Sequence, residues 1–83
     1  SGVGMEEMIE TEFSIYPNPA VSSVNVACDE NILRLTVVNA AGQTVAEETN
    51  VSSINIERLD TGLYMIFVQT ENGKVLSGKF MKE

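Results

Sequence analysis

Gly62-Leu63-Tyr64-Met65-Ile66-Phe67-Val68-Gln69-Thr70 is followed by Glu71-Asn72-Gly73 and then by a second run, Lys74 to Lys82, in a chain of 83 residues. The first run is rich in β-branched and aromatic side chains, which fit a pleated surface better than a helix. Asn72-Gly73 is the best two-residue hairpin signal in the chain, because both residues tolerate the positive φ of a type I′ turn. The two runs are therefore expected to pair as an antiparallel hairpin. Tyr64, Ile66 and Val68 share one face of the first strand, and Leu63, Met65 and Phe67 share the other. A sandwich sheet normally leaves one face to solvent, so apolar residues on both faces are informative. Either the linker or a neighbouring loop covers the outer set, or that set is an exposed stripe for a partner protein.

Working outward, short apolar alternations recur from Glu12 onward. Phe13 and Ile15 alternate with polar neighbours and lead through Tyr16 into two prolines. Val24, Val26 and Cys28 share a phase and end at Asp29-Glu30-Asn31. Leu33, Leu35 and Val37 form the next apolar face, closed by Asn39-Ala40-Ala41-Gly42. A short strand near Thr44 to Glu48 and an alternation at Ile54 and Ile56 complete the set. Seven strands at spacings of roughly 8–12 residues are the period of an all-β sandwich. The predicted fold is an immunoglobulin-like β-sandwich of about seven antiparallel strands. Residues 1–11 read as a linker with a tag remnant, Ser1-Gly2, and with Met5, Met8 and Ile9 at the spacing of a single helical turn. Residues 12–83 form the folded domain, and the chain reads as a piece of a larger protein.

Two local motifs have their own logic. In Tyr16-Pro17-Asn18-Pro19 each proline holds its predecessor extended and neither can donate to a sheet ladder. The first strand must therefore end or bend there, giving a rigid corner at one end of the sandwich. In Leu59-Asp60-Thr61-Gly62-Leu63-Tyr64, Leu59 plugs the core and Gly62 supplies a backbone angle other residues resist. Tyr64 buries its ring and needs a partner for its hydroxyl, as in the tyrosine corner of immunoglobulin-like sandwiches.

Composition narrows the function. Twelve acids against five bases give a net charge of −7. That excludes nucleic acid as a natural partner and disfavours an anionic membrane surface. No apolar run approaches the roughly 20 residues of a membrane-spanning helix, so no transmembrane segment is expected. Cys28 is the one cysteine, so the fold has no internal disulfide, and its phase makes it a buried, inert thiol. The chain has no histidine, which removes Ser-His and Cys-His nucleophile pairs and imidazole metal ligands. Glu6, Glu7, Glu10 and Glu12 lack the ligand spacing of a calcium loop and read as a solvated linker. Asn50-Val51-Ser52 matches the glycosylation triplet, a pattern common by chance. Neither an enzyme nor a bound cofactor or metal is expected.

With these residues in place, the chain resembles the C-terminal sorting domains of the type IX (Por) secretion system of Bacteroidetes. The resemblance runs from about residue 13 to residue 83. It rests on Tyr16-Pro17-Asn18-Pro19 at the start and on the Leu33 to Gly42 strand and turn. It continues through Leu59, Gly62 and Tyr64 to a lysine-bearing last strand with Gly73, Lys79 and Lys82. What the resemblance implies is a C-terminal secretion signal on a cargo protein that reaches the periplasm by an ordinary signal peptide. An outer-membrane translocon and its shuttle protein then recognise the domain. A sortase-like cysteine peptidase cuts in the linker before Phe13, and the cargo ends at the cell surface or outside the cell. By the same resemblance Gly62, Tyr64, Gly73, Lys79 and Lys82 are the candidate recognition residues. The competing expectation is an immunoglobulin-like adhesion or carbohydrate-binding module of a surface enzyme, which a row of exposed aromatic rings would favour. A passive spacer is the third.

Overall fold

A computed structural model of the chain describes residues 13–83. The linker at residues 1–11, with its proposed helical turn and acids, lies outside the described residues. The described chain forms seven strands: β1 (Phe13–Tyr16), β2 (Ser23–Cys28), β3 (Ile32–Asn39), β4 (Thr44–Thr49), β5 (Ser53–Asn55), β6 (Gly62–Thr70) and β7 (Val75–Lys82). They make a three-stranded sheet in the order β1-β2-β5 and a four-stranded sheet in the order β4-β3-β6-β7. Each named strand pair is antiparallel. This is the immunoglobulin-like sandwich expected from the spacing of the apolar runs.

The core is the layer between the sheets. Val24, Val26, Ile54 and Ile56 come from the three-stranded side, and Leu35, Val37, Tyr64, Ile66, Val68 and Phe80 from the four-stranded side. Each is buried because period-two alternation sends it inward. Burying one such aliphatic side chain stabilises the fold by about 1.5–3 kcal/mol before entropy is counted. Cys28, expected to be buried, is half-buried against this core, and Leu59, expected to plug it, packs on its margin. Asn50 adopts a left-handed φ of 57° between β4 and β5, and its N–H donates to the Leu33 carbonyl at 2.9 Å. Asparagine at that position is explained by the turn itself, since it tolerates this region better than most residues.

Two local expectations need correction. Alternation predicts Leu33 in phase with Leu35 and Val37, but the register shifts between Ile32, opposite Thr70, and Arg34, opposite Gln69. Leu33 is the extra residue of a β-bulge, and Ile32 packs against the core instead. The β6–β7 connection is also one residue longer than the type I′ turn predicted for Asn72-Gly73. The Gly73 N–H donates to the Thr70 carbonyl at 3.1 Å, and the Thr70 N–H donates to the Lys74 carbonyl at 2.9 Å. Only Gly73, at 94°, has a positive φ in this loop. That is a turn followed by a left-handed glycine bulge, the usual three-residue hairpin loop. Asn39 to Gln43 repeats the same pattern, with Gly42 in the glycine position. The Thr70 hydroxyl accepts the Lys74 N–H at 3.0 Å, and the Asn39 carboxamide oxygen accepts the Gln43 N–H at 3.0 Å. A polar side chain before the loop therefore selects the longer turn in both hairpins.

Candidate recognition surface on the C-terminal hairpin

The Tyr16–Pro19 segment carries the chain from one sheet to the other. Tyr16 is the last residue of β1 paired to β2, opposite Asn25, whose side-chain amide donates to the Tyr16 carbonyl at 3.3 Å. The peptide bonds before Pro17 and Pro19 are both cis. Beyond them Ala20, fully buried, forms a parallel bridge to Lys82 at the edge of β7. The Ala20 N–H donates to the Met81 carbonyl and the Glu83 N–H to the Ala20 carbonyl, each at 2.8 Å. The side-chain oxygen of Asn18 accepts the Met81 N–H at 3.1 Å. The first motif thus covers the outer edge of the last strand, where unpaired main-chain groups would otherwise invite another chain.

The second motif meets the same end of the sandwich. The Tyr64 hydroxyl donates to the Asp60 carbonyl at 2.7 Å, and its ring stacks on Phe80 with centroids 5.6 Å apart. This is a tyrosine corner at the start of β6. Gly62, with a φ of 156°, lies opposite Lys82. Lys82 points inward and is buried, its ammonium donating to the Glu83 main-chain oxygen at 3.0 Å. Gly62, Tyr64 and Lys82 are therefore neighbours, and the Tyr16–Pro19 corner adjoins them. Lys79 lies on the opposite face of β7, exposed, and Gly73 sits at the far end of the hairpin.

Two residues that sequence reasoning passed over take part. Gly78 lies where β1 crosses β7, and a methyl built on it would overlap the Cδ1 of Ile15. A glycine inside a strand is a readable sign of such close approach. Met81 offers its N–H and carbonyl to the corner while its side chain stays 41% exposed. No local signal marks it, because its partners are distant in sequence.

The aromatic side chains do not form a sugar platform. Tyr64 and Phe80 are buried, Phe13 and Phe67 are half-buried, and only Tyr16 is largely exposed. Among the described residues, no group of three or more metal-ligating side chains could hold an ion, and no helix is long and apolar enough to cross a membrane.

The Tyr16–Pro19 segment and the tyrosine corner of this β-sandwich are thus tied together through its last strand. Comparison with known proteins places it further. Residues 14–83 match the family model described as the secretion system C-terminal sorting domain, and this chain belongs to that family, the sorting signals of the type IX system of Bacteroidetes. The family is one of sorting signals rather than catalysts. The chain is 33% identical over 72 residues to an ulvan lyase of Nonlabens ulvanivorans. The match covers 81% of this chain and 14% of that protein, so the chain spans a small part of the relative's length. Among solved structures it is similar to CopC from Methylosinus trichosporium, with a TM-score of 0.48 and 15% identity over 88% of this chain and 91% of that one.

Proposed function

We propose that residues 12–83 are the export address of a larger cargo protein, carried across the outer membrane by the type IX system. The observation that carries this reading is the family match, which covers the sandwich from its first strand to its last. The Nonlabens relative supports it, because a match to 14% of an enzyme's length suits an appended signal better than a catalytic unit. In this reading the translocon and its shuttle protein engage the folded domain in the periplasm. A sortase-like cysteine peptidase then cuts before Phe13, and the cargo reaches the cell surface or the medium. Gly62, Tyr64, Gly73, Lys79 and Lys82 are the proposed recognition set. Their positions suggest a division, with Lys79 available for contact and Gly62, Tyr64 and Lys82 supporting the strand that presents it.

The test is a localisation assay in a Bacteroidetes host with an intact type IX system. Residues 1–83 are fused behind a periplasm-targeted fluorescent reporter. Reporter outside the parent cells, but held in the periplasm of a translocon-deficient strain, is the expected result. Equal periplasmic retention in both strains would sink the proposal.

A further inference from the structure

The outer face of β6 and β7 carries an apolar patch that neither the core nor the corner contacts use. Leu63 and Met81 are cross-strand partners and are 48% and 41% exposed. Met65, half-buried, lies between Val38 of β3 and Lys79 of β7. Phe67, also half-buried, lies opposite Ser77. A depression beside the Asn39–Gly42 turn is lined by Leu63, Met65, Phe67 and Lys79. Lys79 makes no ion pair among the described residues. Glu47, farther across this sheet, is engaged by Thr36 at 3.4 Å and Arg34 at 3.8 Å. An apolar field around one cation that has no ion pair among the described residues is unlike the alternating charges of an ordinary solvated face.

We propose that this patch is the surface by which the domain docks on a protein of the export machinery, one presenting an apolar ridge with a carboxylate at its centre. The inference rests on the export reading above and names the contact surface within it. Burying Lys79 among apolar neighbours is costly unless the partner brings an opposite charge, so charge complementarity calls for an acid. A second copy of this chain fits poorly. An isologous pair centred on the patch would set Lys79 against Lys79, and two chains of net charge −7 repel. Leu63, Met81 and the aliphatic stem of Lys79 supply the water-excluding frame.

The test combines Leu63→Ser, Lys79→Glu and Met81→Ser in the reporter fusion. All three side chains point away from the core, so the purified variant is expected to keep cooperative unfolding. Export is expected to fall by roughly tenfold or more, while Lys79→Arg keeps most of it. If the triple variant loses its fold, Lys79→Glu alone carries the same comparison. A folded variant exported at the parent level overturns the docking surface while leaving the export reading intact. A parent fusion that is never exported overturns the export reading, and this inference with it. Zero-length carbodiimide cross-linking of the purified chain distinguishes other occupants. Lys79 linked to a second copy, or to Glu6, Glu7 or Glu10 of its own chain, assigns the patch elsewhere and overturns the proposal. Monomer without such links is the result expected.

Discussion

The main-chain N–H of Met81 donates to the side-chain carbonyl of Asn18 at 3.1 Å, across 63 positions of sequence. This one bond ties the motif that opens the domain to the strand that ends it. Ala20 reinforces it with two main-chain bonds of 2.8 Å to Met81 and Glu83. The edge of β7 is thereby closed near Lys82, while its outer face stays open. A terminal strand held in this way presents Lys79 from an anchored backbone.

Asn18→Ala is expected to lower stability by about 0.5–1 kcal/mol, because the Met81 N–H loses its acceptor but can still reach water. Asn18→Asp keeps an acceptor at the same place and should restore most of the loss. Urea midpoints of the two variants and the parent decide this, and equal midpoints for Ala and Asp would contradict it.

Tyr64→Phe removes the 2.7 Å bond to the Asp60 carbonyl and leaves the ring on Phe80. The expected cost is about 1–2 kcal/mol. Tyr64→Ala also empties part of the core and should cost about 3–5 kcal/mol. Thermal unfolding monitored by circular dichroism should rank the parent above Phe and Phe above Ala.

Gly78→Ala places a methyl against the Cδ1 of Ile15, which must rotate away or push the sheets apart. A loss of about 1–3 kcal/mol is expected. Ile15→Val deletes the clashing atom, so the double variant should be more stable than the sum of the single changes allows. A double-mutant cycle measures this coupling, and simple additivity would show that the two residues do not interfere.

Gly73→Ala must hold a φ of 94° that a side chain resists, at a cost of about 1 kcal/mol. Gly73→Asn should cost less, since asparagine tolerates left-handed backbone. If alanine proves no worse than asparagine, the hairpin has adopted another turn.

Much of the sandwich was legible because alternation and turn chemistry act between near neighbours. Tyr64, Ile66 and Val68 read inward and are buried, and Val24 and Val26 do the same on the facing sheet. Where reading slipped, one particular contact, long-range at Leu33 and local at Thr70, outweighed the general rule. The bulge at Leu33 follows from the register against β6, which brings Ile32 opposite Thr70. The longer β6–β7 loop follows from the Thr70 hydroxyl, which holds Lys74 and rewards an extra residue. On the proposed docking surface, the apolar content of both β6 faces was visible at once. Which of Leu63, Met65 and Phe67 stays open was not, because that depends on the Asn39–Gly42 turn folding beside them.

The order of residues alone was enough for the all-β architecture, for the family and for the two corner motifs, because each is written in spacings of a few residues. Only the folded chain decided that Lys82 is buried while Lys79 is exposed, and that Gly78 makes room for Ile15. The same holds for Asn18 reaching Met81. Those facts depend on which strand edges meet across the sandwich. Pairings between distant residues are selected by the burial of the whole core, and no local pattern encodes them.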